Sequence, residues 1–349
     1  MRLRILAASA VLAPLLAACD SVTRSNVAFG SHTSIIVMAT DQVWEAVGDS
    51  MRSALEPLVF TVTSERAFDV THVRPGAPQW AQYKKFRQVM VIGTPADAWV
   101  EPALGKADTT LEALPALVET ENVWALGQHV TVLALDPERP ASAALALLED
   151  VRLGVDRRFG TYVMRKMYVS GVNERLGEDL LREEGFSLML PSVYREVPGE
   201  GVRIFKNDLP DPAELARYVL VQEVDGAVPE RTAEALVDWR DSIGEAYPRA
   251  MVSARDELHL TELDGGVLEV QGRWETPPPD STATGAFYPG GGPFIVRLVP
   301  CPDGERTYLV DSWLYAPGKD KLEYIMQLRA ILGTFRCGGS GGEAAIVAS

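Results

Sequence analysis

The stretch "DELHLTELDGGVLEVQGRWE" (256–275) contains two runs that alternate like β-strands, separated by a turn with two glycines. Two more runs of the same kind follow, "PFIVRLVP" (293–300) and "RTYLVDSWLYAP" (306–317). Turn residues between consecutive strand-like runs are typical of hairpins. The four runs therefore predict an antiparallel meander in the second part of the chain.

The rest of the chain extends this pattern. Strands are predicted at 34–40, 68–75, 87–93, 123–135, 186–197, 201–208 and 216–224. Helices are predicted at 40–58, 96–105, about 108–119, 140–168, 172–184, 230–247 and 318–335. Clusters of strands with separate helices favour the α+β class, with antiparallel sheets and helices segregated to one face. The halves 34–184 and 185–337 look alike in outline, which leaves an internal duplication open, and the Gly-rich end (338–349) is predicted to be a disordered tail.

The beginning of the chain has the pattern of a secretory signal. Arg2 and Arg4 precede an apolar run that ends in "LAAC" (16–19), and the chain then becomes polar. The apolar run is shorter than the roughly 20 residues that span a bilayer. We therefore predict a signal peptide at 1–18 and a polar tether at 19–33. The alternatives are an ordinary signal peptide with a chance cysteine and a buried amphipathic start.

Cys19 after Leu16-Ala17-Ala18 resembles the lipobox of bacterial lipoproteins. The resemblance implies that the thiol carries a diacylglycerol, with fatty acids such as palmitate, and that the mature chain begins at Cys19. Two or three acyl chains would anchor the protein stably at the periplasmic face of a membrane. Asp20 resembles an inner-membrane retention signal of some bacteria, which leaves the choice between inner and outer membrane undecided.

The composition excludes several classes of partner. The chain has 349 residues and a formal charge of -15, whereas nucleic-acid binding needs clustered lysines and arginines. The nearest approach to such a cluster is "YKKFR" (83–87). No later segment is apolar enough to cross a membrane. We expect a globular body on a lipid tether, with no nucleic-acid partner.

The three cysteines agree with an envelope location. If Cys19 carries lipid, Cys301 and Cys337 remain as an even pair in an oxidising compartment. Cys301 lies in a turn between two predicted strands, and Cys337 follows a predicted helix that would return towards that turn. These positions predict a disulfide, with two free, partly buried thiols as the alternative.

Catalytic and metal-binding motifs are weak. His32, His72, His129 and His259 lack metal-ligand spacing, so we expect no metal site and no cofactor. "GGSGG" (338–342) fits a nucleophile elbow formally but lacks the required strand and helix. Acidic pairs such as Glu183-Glu184 are interpreted as solvated helix faces. The sequence therefore favours a non-enzymatic role without excluding an enzyme.

One unusual segment could bind a ligand. The loop "GRWETPPPDSTATGAFYPGGGPF" (272–294) is longer than most loops of compact domains, and such loops are often functional or disordered. Aromatic residues beside glycines could form a binding lip, although a disordered insertion between ordinary core aromatics is the alternative. The candidate residues are Arg273, Trp274, Phe287, Tyr288, Gly290, Gly291, Gly292 and Phe294.

Several stretches together resemble one bacterial family. They are the lipobox, "DQVWEAVGDSMRSAL", "FDVTHVRP", "RQVMVIG", "YVLVQEV", "WRDSIGEAYP", "QGRWE" with "GGPF", and "SWLYAPGKDKLEYIMQLRAIL". In this order they resemble the envelope lipoproteins grouped as domain of unknown function 4837, over nearly all of the mature chain. The resemblance implies an envelope location and supplies no catalytic residues.

These observations favour a lipid-anchored envelope protein with a binding, scaffolding or assembly role, for which another envelope protein is the expected partner. The first alternative is a periplasmic carrier of a small ligand, using the 272–294 loop and a groove between the halves. The second is an enzyme whose site has no recognised motif.

Overall fold

The structure is a computed structural model that describes residues 26–61, 64–224, 230–243, 252–276, 290–302 and 304–338. Its strands are β1 (Ser34–Met38), β2 (Leu58–Val59), β3 (Glu65–Arg66), β4 (Asp69–Val73), β5 (Gln88–Gly93), β6 (Ala116–Glu121), β7 (His129–Ala134), β8 (Phe186–Ser187), β9 (Arg195–Val197), β10 (Arg203–Asn207), β11 (Ala216–Glu223), β12 (Val252–Ser253), β13 (His259–Glu262), β14 (Leu268–Glu275), β15 (Gly291–Pro300), β16 (Thr307–Tyr315) and β17 (Arg336–Cys337). Its α-helices are α1 (Asp41–Leu55), α2 (Trp80–Tyr83), α3 (Glu101–Ala107), α4 (Leu148–Met167), α5 (Glu174–Glu184), α6 (Ala233–Ser242) and α7 (Leu322–Gly333).

The first sheet has five strands in the order β4-β1-β5-β7-β6. β4, β1, β5 and β7 run parallel, and β6 is antiparallel to β7. Parallel neighbours need crossover connections, which place helices on both faces of a sheet. Accordingly, α1 and α4 pack on one face and α3 packs on the other. The prediction of antiparallel sheets is therefore wrong for the first half.

Helix α1 forms where the sequence predicts it. The Thr40 hydroxyl accepts the N–H of Val43 at 3.3 Å and satisfies a donor that the first helical turn leaves free. Val47, Met51 and Leu55 follow at spacings of four, so all three point into the core between α1 and the sheet. This apolar stripe directs the crossover from β1 to β4.

The second sheet has eight antiparallel strands. Its order is β12-β14-β15-β16-β11-β10-β9, and β13 pairs with another part of β14. The predicted meander is confirmed, because β14, β15 and β16 are consecutive neighbours. Helix α6 covers one face, whereas α5 and α7 cover the other. The prediction that helices are segregated to one face is therefore wrong. The predicted likeness of the halves also fails, because the first sheet is largely parallel.

The two halves touch through α4 and α7. Lys166 on α4 forms an ion pair with Glu323 on α7 at 2.7 Å. Glu65 on β3 accepts the N–H groups of Lys321 and Leu322 at 2.7 and 3.3 Å. The first N–H groups of a helix have no intrahelical acceptor, so Glu65 caps α7 from the other half of the chain. Among the described helices, none has the length and apolarity to cross a bilayer.

Candidate functional site

An open groove with a volume of about 680 Å³ lies at the β9–β10 side of the second sheet. We call it the edge groove. Its floor and walls come from the end of α5, the β9–β10 hairpin and the neighbouring strands β11 and β16. The lining residues are Glu184, Phe186, Glu196, Val197, Pro198, Gly199, Gly201, Val202, Arg203, Val221, Glu223 and Tyr308.

An ion network holds one side of the edge groove together. Arg203 on β10 forms ion pairs with Glu184 at the end of α5 and with Glu196 on β9, the latter at 2.7 Å. Hydrogen bonding to Glu184, and then to Glu196, raises the pKa of Arg203, so its guanidinium stays charged. All three side chains are about one-third exposed. The network therefore positions charge at the groove surface.

The rest of the groove lining includes buried apolar and aromatic residues and one exposed carboxylate, that of Glu223. Val221, Tyr308 and Phe186 are buried. The Tyr308 hydroxyl donates to the main-chain carbonyl of Glu184 at 3.0 Å, which fixes the end of α5 against β16. Glu223 on β11 lies opposite Tyr308 on β16 in the strand register. Its side chain is exposed and forms no ion pair among the described residues. Three carboxylates and one guanidinium leave the lining with two net negative charges.

A smaller pocket of about 460 Å³ lies between the halves, and we call it the junction pocket. The first half contributes Ser31, His32, Thr33, Glu65, Arg66, Asp69, Phe159 and Tyr162, and the second contributes Lys319, Asp320, Leu322, Glu323 and Tyr324. The rings of His32 and Tyr162 stack with centroids 3.4 Å apart. Burial, followed by the positive charge of Arg87, lowers the pKa of His32 to about 4. The imidazole is therefore neutral at pH 7.

Three residues of the predicted binding loop, Trp274, Gly292 and Phe294, lie in the core of the second sheet. Trp274 and Phe294 are buried, and the Trp274 indole N–H donates to the carbonyl of Leu314 at 3.1 Å. A side chain at Gly292 would meet that same carbonyl, since a Cβ would lie 1.8 Å from it. The glycine therefore permits β15 to approach β16 closely.

The other loop candidates have separate surroundings. Arg273 lies 3.4 Å from Asp256, and Gly290 donates its N–H to Thr276 at 2.8 Å. Gly291 pairs with Glu275 in the β14–β15 hairpin. Phe287 and Tyr288 lie outside the described residues, as does Cys19. None of the described loop residues lines the edge groove or the junction pocket.

The predicted disulfide between Cys301 and Cys337 is confirmed. The two Cα atoms are 5.8 Å apart, and β17, which contains Cys337, pairs with β8. Cys337 lies directly opposite Phe186, which lines the edge groove. The bond therefore ties the turn between β15 and β16 to a wall of the groove.

The sequence patterns did not identify the groove residues. Glu184 was interpreted as part of a solvated helix face, yet it pairs with Arg203. Glu196, Arg203, Glu223 and Tyr308 sit on separate strands, and no spacing in the sequence relates them. In the described ranges, no three His, Cys, Asp or Glu side chains gather into a group that could hold a metal ion.

One known protein family matches the second half of the chain. A family model described as Domain of unknown function (DUF4837) matches residues 175–334. This segment of the chain is similar to the DUF4837 domain. It contains the second sheet and every residue that lines the edge groove. The match covers less than half of the chain and leaves out the first sheet, whereas the resemblance in the sequence implied nearly all of the mature chain. It also begins ten residues before the predicted boundary at 185.

Comparisons with other proteins add little. No curated protein matches the chain. A mutant of the protein Mog1 is 12% identical, with a TM-score of 0.30, covering 45% of this chain and 92% of that one. PsbP (CyanoP) from the cyanobacterium Synechocystis sp. PCC 6803 is 11% identical, with a TM-score of 0.30, covering 44% and 88%. Human STARD10 is 10% identical, with a TM-score of 0.21, covering 46% and 74%. Similarities this low carry no argument about function.

Proposed function

We propose that this chain is a lipid-anchored protein of the bacterial cell envelope whose DUF4837 domain binds a segment of a partner protein in the edge groove. The anchor is supported by the signal-like beginning of the chain and the lipobox-like position of Cys19. Groove binding is supported above all by one observation: an open groove has an apolar floor and two net negative charges along its sides.

The chemistry of the edge groove favours a basic segment with apolar neighbours. Val197 is half-buried and Pro198 is exposed, so these two lining residues offer apolar surface that a partner can bury, and such burial favours association. Glu223 is free of ion pairs within the described chain, so it can receive a lysine or arginine without first breaking a contact. Exposed ion pairs contribute about 0.2–1 kcal/mol each, so the charges select the partner more than they hold it.

Replacing Cys19 with alanine is expected to release the protein from membranes, because the proposed acylation needs the thiol. Membrane and soluble fractions of cells that express each protein would be compared by immunoblotting. The wild-type protein is expected in the membrane fraction and Cys19→Ala in the soluble fraction. A Cys19→Ala protein that remains fully membrane-bound would overturn the anchor.

Reversing the free charge of the edge groove is expected to weaken binding of a basic segment. In Glu223→Lys, the affinity for an extended peptide of alternating lysine and valine should fall about threefold to tenfold, as one exposed attraction becomes a repulsion. The measurement is fluorescence anisotropy of the labelled peptide at low and high salt. The difference should shrink at high salt, because exposed charges are screened.

Glu257→Lys is the matched control. Glu257 is exposed and lies between β12 and β13, on the opposite side of the sheet from β9, so the same change in net charge occurs away from the groove. Equal weakening by both variants would show that net charge alone controls binding. The groove assignment would then be wrong.

A small-ligand carrier is the second candidate, favoured by the stacked rings of His32 and Tyr162 in the junction pocket. We rank it lower because Glu65 and Glu323 in that pocket are engaged in contacts between the halves. Native mass spectrometry of purified protein would distinguish the two, since a stoichiometric small molecule would favour the carrier.

A further inference from the structure

The first described residues of the chain pack against the first sheet, although the sequence places them in the polar tether. Val27 forms a bridge with Leu126, and Phe29 forms a bridge with Phe86. The N–H of Ala28 donates to the carbonyl of Leu126 at 2.9 Å. Despite these backbone bonds, the side chains of Val27, Phe29 and Leu126 remain 67%, 38% and 57% exposed. Apolar side chains therefore cluster on the surface where the chain enters the fold.

The basic run of the sequence lies beside these apolar side chains. The Phe29 N–H donates to the carbonyl of Lys85, and the Lys85 ammonium donates to the Asn26 side chain at 3.2 Å. The Arg87 guanidinium donates to the carbonyl of Gly30 at 3.0 Å. In a chain with a net charge of -15, this run is the nearest approach to a basic cluster. This run therefore places positive charge beside the exposed apolar side chains of residues 27–29.

A buried glutamine fixes the two parts of this surface to each other. The Gln128 amide donates to the carbonyls of Lys84 and Phe86 at 2.6 and 2.7 Å. Its oxygen accepts the N–H of Trp124 at 3.1 Å. Gln128 is completely buried, so the segment that carries the lysines and the loop that carries Leu126 form one rigid unit.

The length of the tether limits how far this surface can be from the anchor. Six residues separate Cys19 from Asn26. An extended chain spans at most about 3.6 Å per residue, so Asn26 lies within about 25 Å of the acylated cysteine. Anionic headgroups attract nearby lysines and arginines with about 1 kcal/mol each, and interfacial apolar side chains add to this attraction.

We infer that the surface formed by Val27, Phe29, Lys84, Lys85, Arg87 and Leu126 lies against the headgroups of an anionic bilayer when the protein is anchored. This inference rests on the proposed lipid anchor. The contact orients the body on the membrane, whereas the anchor at Cys19 alone does not fix its orientation. The more acidic remainder of the protein is then directed away from the bilayer.

The test uses the lipidated protein in vesicles that contain phosphatidylglycerol and a nitroxide-labelled lipid headgroup. Leu126→Cys carries a fluorescent label, and the control is Leu209→Cys, since Leu209 is also an exposed leucine, 62% against 57%. Each variant adds a single free thiol, because Cys301 and Cys337 are bonded and Cys19 is acylated in the proposal. Quenching at position 126 is expected to be about twofold or more greater than at 209.

A charge variant shows whether headgroups cause the difference. Lys84→Glu with Lys85→Glu should remove most of the excess quenching at position 126, whereas Arg175→Glu with Arg182→Glu on α5 should leave it unchanged. Equal quenching at 126 and 209 in proteins that float with the vesicles would overturn the orientation while leaving the anchor intact. Failure of both labelled proteins to float with the vesicles would overturn the anchor and this inference with it.

Discussion

Replacing Glu269 with alanine is expected to lower the free energy of unfolding by about 3–5 kcal/mol, the cost of removing one partner from a buried ion pair. Glu269 on β14 faces Arg297 on β15 in register, and both side chains are 4% exposed. The Arg297 guanidinium donates to the Glu269 carboxylate at 2.8 Å. Without Glu269, that guanidinium would keep its desolvation cost and lose its counter-charge.

Two further side chains donate hydrogen bonds to the Glu269 carboxylate. Arg329 on α7 donates to the same carboxylate at 3.3 Å, and Gln271 donates to it at 2.8 Å. Burial lowers the pKa of Arg297, and the Glu269 charge opposes this shift. The carboxylate therefore links β14, β15 and α7 through one set of hydrogen bonds. We expect its loss to loosen the packing of α7 on the second sheet.

Two variants make the Glu269 prediction specific. Urea unfolding followed by circular dichroism would compare Glu269→Ala with Glu214→Ala, whose exposed pair with Lys319 should be worth less than about 1 kcal/mol. A double variant, Glu269→Leu with Arg297→Met, removes both charges and should recover much of the lost stability. A cost below about 1 kcal/mol for Glu269→Ala would show that the pair is not important for folding.

The sequence predicts correctly those helices and turns whose formation depends on residues close to one another in the chain. The helix predicted at 40–58 and the turn with two glycines before β14 rest on local patterns, and the structure contains both α1 and that turn. The region 108–119 was predicted to be helical, but Ala116–Glu121 forms β6. Its alanine, leucine and glutamates favour a helix in isolation. Pairing with β7 overrides that preference, and such distant pairing is not visible in a local pattern.

The predicted strand at 123–135 is longer than β7, because a turn at Gly127 interrupts its first part. β7 begins only at His129, because Asn122 and Gly127 both adopt positive φ values, 57° and 78°. The Asn122 side chain accepts the N–H of Gly127 at 2.6 Å and closes a turn. Glycine within a strand-like run indicates such a break. The edge groove had no comparable signal, since strand register brings Glu196, Arg203 and Glu223 together from separate segments.

Removing the Cys301–Cys337 bond is expected to lower the free energy of unfolding by about 4 kcal/mol. The two cysteines are 36 residues apart, and closing a loop of that length removes about this much conformational entropy from the unfolded chain. The double variant Cys301→Ser with Cys337→Ser would be compared with the wild type by urea unfolding. Addition of dithiothreitol should destabilise the wild type and leave the double variant unchanged.

Loss of the disulfide is also expected to weaken peptide binding in the edge groove. β17 is two residues long, and it pairs with the equally short β8. Two paired residues provide few hydrogen bonds, so the covalent bond at Cys337 adds to the core packing against Tyr308 and Phe335 that holds Phe186 in the groove wall. Reduction should therefore weaken binding of the lysine–valine peptide even below the denaturation temperature. Unchanged stability of the serine variant, or two free thiols by mass spectrometry in protein purified from the envelope, would contradict this role. Peptide binding that survives reduction in a still-folded protein would separate the disulfide from the groove and leave it a purely stabilising bond.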